Sequence, residues 1–213
     1  MVWQSPLSAI IFGPVLIEHS SENSMWILIL GLVIFLGNHS IQMLAPRWRD
    51  EMVVKLGKLG WRGLYSAFSL GGLGLIIWGF GEARPDAPDL YYAPSWMPHL
   101  TMMLMLIAFV FMVAGSLPTG YIKARLKHPM ITGVIIWAFA HLMMNGDLAS
   151  VLLFGSILVW AIWNRLNVDR RSSGALVVRS IFPDIFALVI GLGLWMLMLH
   201  VLHGMLIGVE VIA

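Results

Sequence analysis

The chain has 213 residues, of which 59% are hydrophobic and 11% charged, with a net charge of +2. A water-soluble domain carries roughly 25% charged residues, so this chain cannot face water on all sides and the bilayer is the solvent for most of it. There is no cysteine, which excludes a disulfide frame, a thiolate ligand and a dithiol redox couple; any metal or haem must be held by His, Met or carboxylate.

Residues 1–24, "MVWQSPLSAIIFGPVLIEHSSENS", contain a short apolar stretch at 7–17. They lack the basic start and cleavage site of a signal peptide. The expectation is a surface or re-entrant segment that contacts a membrane-protein partner. Six apolar runs follow, near 25–44, 64–81, 99–117, 130–144, 147–164 and 184–208. A spanning helix takes about 20 mostly apolar residues, and the runs lack the alternation of a membrane strand. The predicted fold class is all-α: a polytopic membrane helical bundle with about six transmembrane helices, in a membrane domain over 25–213. The fourth and fifth runs are separated only by Asn145-Gly146-Asp147, which predicts either a tight helical hairpin or one long broken helix.

The cations orient these spans. Arg47, Arg49, Lys55, Lys58 and Arg62 fall between the first two; Lys123, Arg125 and Lys127 between the third and fourth; Arg165, Arg170, Arg171 and Arg179 between the fifth and sixth. Only Arg84 lies in another loop. The positive-inside rule makes those three loops cytoplasmic and both termini external. The outer loop at 82–98 carries Tyr91, Tyr92 and Trp96, an interfacial aromatic set. The pI of about 9.2 reflects these flanks, and no nucleic-acid partner is expected.

Polar groups inside a span are costly and mark functional positions by default. Here they are Asn38, His39 and Ser40 in the first run, His141 in the fourth, Asp147 at its end, and His200 and His203 in the sixth. A neutral imidazole keeps one lone pair for a metal while donating from its other nitrogen. Two such residues on different helices can clamp a haem iron; each can equally be a hydrogen bond between helices. With these span limits His39 lies about 14 residues from the outer end of its helix, roughly 21 Å at 1.5 Å per residue, and His141 about a turn from the outer end of its own. His200 and His203 share a helical face at this spacing, as a metal pair or as a boundary pair. Lys127-His128-Pro129 opens a helix, with proline tolerated at the first turn. With Lys123 and Arg125 nearby this is either an anion site or ordinary cationic flanking. Asp147 reads as a helix cap after Gly146. The fifteen methionines read mainly as packing, although a thioether also ligates haem. Gly71-Gly72 and Gly74 lie inside a span, where small residues let helices approach.

The segments "LGNHSIQMLAPRWR" (36–49), "GLYSAFSLGGLGLIIWGF" (63–80), "KHPMITGVIIWAFAHLMMNGDLASVLLFG" (127–155) and "LHGMLIGV" (202–209) together resemble the NnrU family of bacterial membrane proteins. The likeness runs from about residue 25 to the C-terminus and leaves residues 1–24 outside. It implies the bacterial inner membrane and a link to denitrification. The related zeta-carotene isomerases of plants and cyanobacteria are haem b membrane enzymes, and their two haem-ligand histidines match His39 and His141. Their redox-relevant cysteine, three residues before the second histidine, is Ala138 here, so a cysteine-based ligand switch is excluded. The His-Pro element is also similar to membrane methyltransferases of the isoprenylcysteine type, over Lys127-His128-Pro129 and Gly133. The paired acids that should follow the next span are missing from "WNRLNVDRR" (163–171), so methyl transfer is not expected.

The expectation is therefore a multi-pass membrane protein that binds haem b through His39 and His141. Asn38, Ser40 and Asp147 would be supporting or capping groups. Redox or isomerase chemistry on a lipid-soluble substrate, in nitrogen-oxide metabolism, would follow. The alternative is a non-enzymatic assembly or accessory subunit docking through residues 1–24.

Overall fold

The computed structural model describes residues 14–171, 176–178, 180–207 and 211. Most of the segment read as a partner contact, residues 1–13, lies outside them, as do Arg179 and residues 208–210. The described residues are helical throughout, apart from turns and one isolated antiparallel bridge, Asp89 to Asp147. Among the described residues five helices are long and apolar enough to cross a membrane: Asn23–Leu44, Pro46–Asp86, Met97–Ser116, Leu148–Asp169 and Phe182–Met205. The fourth predicted run forms Pro129–Met144, 16 residues, about 24 Å at 1.5 Å per residue, short of the ~30 Å hydrocarbon thickness. Pro129 starts it and the Asn-Gly-Asp break stops it. Large apolar side chains such as Val33, Phe68, Trp78, Val159 and Val189 stand exposed, a surface that suits lipid rather than water.

The described chain divides into two compact units. The first runs to Asp89 and adds Asp147–Leu153. It is built on α1 (Pro14–Leu44) and α2 (Pro46–Ala83), with a 3₁₀ turn at Arg84–Asp86. α1 starts well before the predicted span, at Pro14, so its early turns include part of the segment read as separate. Pro46 begins α2 directly after the chain turns at Ala45. Gly57 then takes φ 72°, ψ 162° inside α2, a conformation open to glycine and rarely to other residues. It divides α2 into a short cationic arm, Pro46–Leu56, and a long arm that runs back along α1. The two long arms approach closely enough to exclude side chains. A Cβ on Gly72 would lie 2.9 Å from the Phe35 nitrogen, and one on Gly79 would strike the Leu28 nitrogen. Gly71 and Gly74, highlighted equally by the sequence, meet nothing. Only one face of the glycine cluster is the contact.

The second unit covers Leu90–Gly146 and the chain from Phe154 onward. Its helices are α3 (Met97–Ser116), α4 (Tyr121–Leu126), α5 (Pro129–Met144), α6 (Leu148–Arg171, from Phe154), α7 (Phe182–Leu197), a π turn at Met198–Leu202 and α8 (His203–Ile207). α3 is central. Gly133 of α5 lies against the Ala108 carbonyl, and Gly191 of α7 against Val110. Val110, Ala114 and Ala187 form the core, backed by Leu106, Phe111 and Ile122. The Phe154 ring stacks on His141 at 4.7 Å, while Asp169 lies 3.9 Å from His128. Both ends of α5 therefore meet α6 in antiparallel order, and the Asn-Gly-Asp break makes a hairpin rather than a long bent helix.

Candidate functional site

Each unit holds one of the two in-span histidines in a cavity of its own. In the first unit, His39 sits within the last two turns of α1, half-buried, beside Phe35 at 4.2 Å and Tyr65 at 5.5 Å between ring centres. Its Nδ1 lies 2.7 Å from the Phe35 carbonyl oxygen. A carbonyl only accepts, so Nδ1 carries the proton, and in the neutral ring Nε2 carries the lone pair. The neighbouring polar residues brace the hairpin. Asn38 donates to the Tyr65 carbonyl at 3.0 Å and to Ser69 Oγ at 2.8 Å, tying α1 to α2. Ser40 is buried and donates to the Leu36 carbonyl in its own helix.

His39 opens on a cavity of about 620 Å³, within the ~300–1,000 Å³ range of ligand clefts. Both arms of α2 line it. The short arm contributes Arg49 and Val53; the long arm contributes Lys58, Trp61, Arg62, Tyr65 and Ser66. The sequence signal for Trp61 and Tyr65 is their spacing with Arg62 and Lys58 after Gly57, which becomes legible only once the kink folds the two arms together.

In the second unit, His141 lies in the last turn of α5 with Nδ1 2.9 Å from the Trp137 carbonyl oxygen. The tautomer argument repeats, and Nε2 again carries the lone pair. Trp137 and Phe154 flank the ring. Ala138, at the position where the isomerases have cysteine, is fully buried. The His141 cavity is about 220 Å³, lined by Met102, Met105, Met144, Met198, Trp195 and His203 among others. It falls below the usual range for an organic ligand. His203 lines it, whereas His200 is exposed in the π turn. The wider turn of a π segment undoes the shared face that a regular helix would give this pair.

Asp147 caps α6. Its carboxylate accepts from the Ser150 nitrogen at 2.8 Å and from the Ser150 hydroxyl at 2.7 Å, with Arg84 Nε at 3.6 Å. At the start of α5, the Lys127 and His128 neighbourhood includes an acid. His128 faces Asp169 at 3.9 Å, and Arg165 binds Asp169 and the Leu126 carbonyl. Lys123 is spent on the end of α3, donating to the carbonyls of Gly115 and Leu117. Burial, the Arg165 guanidinium and Lys127 hold the His128 pKa below its ordinary value near 6.5, with Asp169 opposing them.

Asp184 carries a role that the sequence reading missed. It is 8% exposed and accepts from the backbone nitrogens of Tyr121 at 2.7 Å and Ile122 at 3.0 Å. It thereby joins α7 to the first turn of α4. The available signal was a lone acid after proline at the head of the last apolar run. Among the described residues no group of three or more His, Asp or Glu is placed to hold a metal ion.

A family model described as NnrU protein matches residues 27–211. No curated protein and no solved structure matches the chain.

Proposed function

The chain belongs to the NnrU family, and on that premise we propose that it is an integral membrane protein that binds haem b through the imidazoles of His39 and His141. The observation that carries this reading is the same device found twice. Each ring has Nδ1 turned onto the carbonyl four residues earlier, at 2.7 and 2.9 Å. That bond fixes the tautomer, limits ring rotation and raises the basicity of Nε2, as the outer hydrogen bond of a metal-bound histidine does. The donor chemistry fits haem iron, which histidine nitrogen can hold without any cysteine. The cavity at His39 also has the volume of an organic ligand.

Haem b would supply one-electron exchange when bound, with His39 and His141 as the residues that would hold it. The residues do the rest. Phe35 and Tyr65 confine the His39 ring, Trp137 and Phe154 confine the His141 ring, and Asn38 keeps α1 and α2 in register. The setting we propose is the bacterial inner membrane with the three cationic loops inside, and the process is nitrogen-oxide-linked redox chemistry on a lipid-soluble substrate. A cis–trans isomerase cycle that depends on a cysteine ligand is not part of the proposal, because Ala138 stands in that position.

The test is low-temperature electron paramagnetic resonance of the ferric protein in detergent. The wild type is expected to give a low-spin signal of two nitrogen ligands. His39→Ala and His141→Ala should each convert it to high spin, or lose haem. A low-spin signal unchanged in both variants would sink the assignment.

A further inference from the structure

We infer that Lys58 and Arg62 anchor the two carboxylates of the haem at the His39 cavity, with Arg49 as a flanking cation. The inference rests on the haem reading and goes beyond it by naming what holds the cofactor's polar edge. Lys58 and Arg62 are four apart on the long arm of α2, so they share one helical face. Both line the cavity that contains His39, and no carboxylate lines it. Arg49 approaches from the short arm, already engaged with Asp50 at 2.7 Å; among the described residues neither Lys58 nor Arg62 forms an ion pair. Exposed themselves, these two stand at the mouth of a hollow walled by Trp61, which is 8% exposed, Tyr65 and His39, with Asn38, Gln42 and Ser66 adding polar groups. A hollow with cations at its rim, aromatic walls and an imidazole fits a flat, apolar molecule with anionic groups on one edge.

The kink at Gly57 makes this site. A straight α2 would carry Arg49 away from Arg62 by roughly 20 Å at 1.5 Å per residue. The positive φ there returns the short arm toward the cavity, so Arg49 and Lys58 line the same space.

The test is titration of the haem-depleted protein with ferric haem b and, separately, with its dimethyl ester, which has the same ring and iron but no carboxylates. Soret absorbance reports binding. The wild type should bind the free acid about tenfold or more tightly than the ester, the factor expected for charge-assisted hydrogen bonds to carboxylate. Lys58→Gln with Arg62→Gln should lose that preference while leaving ester binding unchanged. Lys58→Arg with Arg62→Lys should keep it. Both residues are exposed, and an unchanged helical circular dichroism spectrum confirms that each variant folds. Equal binding of acid and ester by the wild type, or parallel weakening of both by the double Gln variant, would overturn the assignment while leaving haem binding intact. Loss of a co-purified anionic lipid from the double Gln variant, with haem binding unaffected, would also overturn it and give the cations to a headgroup. No Soret band with either porphyrin would instead remove the haem reading and this inference with it.

Discussion

Asp184 shows how much one buried carboxylate can hold. It satisfies two backbone N–H groups at the start of α4, and Gly120 beside it has no room for a Cβ, which would lie 2.6 Å from either carboxylate oxygen. Asp184→Ala would strand both donors, at about 1–3 kcal/mol each. The expected result is a loss of about 2–6 kcal/mol in detergent unfolding, with Asp184→Asn recovering part of it through its single acceptor oxygen. His128 gives the second prediction at this scale. Its folded pKa lies below the ordinary value of 6.5, so the unfolded chain takes up its proton first. The stability this group contributes is present above pH 6.5 and is lost as pH falls through the lowered folded value. Thermal stability measured from pH 7.5 to 5 should decline with acid, and His128→Gln should reduce that decline. An identical slope in the variant would show that His128 is not the sensor.

At the scale of elements, the α1–α2 pairing depends on which glycines face the neighbour. Gly79 meets the backbone at Leu28, while Gly74 meets nothing. Gly79→Ala should therefore force the helices apart at a cost of about 1–3 kcal/mol, the usual range for overpacking. Gly74→Ala should be neutral or slightly stabilising, since glycine in a helix costs about 0.5–1 kcal/mol relative to alanine. Comparing the two variants by unfolding in one detergent separates contact from helix propensity. The helices themselves were legible because apolar length is a direct signal in a membrane chain. Which face of "LGGLG" (70–74) makes the contact was not, because Gly71, Gly72 and Gly74 share a composition and differ only in orientation. The kink at Gly57 was likewise hidden: the run of cations around it reads as one flank, and only the positive φ folds it back over a cavity. The π turn after α7 separated His200 from His203 for a similar reason, since a change of helical pitch leaves no mark on residue spacing.

For the whole molecule, the sequence made the membrane class, the all-helical fold and the family readable, through hydropathy and a few dispersed polar motifs. The family model then matched residues 27–211. His39 and His141 stood out because polar groups inside apolar helices are rare. The contact of each Nδ1 with a backbone carbonyl and the cationic hollow beside His39 emerge only in the folded chain. The central question is whether these imidazoles serve iron. The most direct measurement is the visible absorption spectrum of the purified protein in detergent, oxidised and then reduced with dithionite. A Soret band that shifts on reduction, with sharp α and β bands of haem b, is the predicted result. Folded, family-typical protein expressed with ample haem supply that shows a flat spectrum in both states would contradict it, and the two histidines would then be helix-bracing residues.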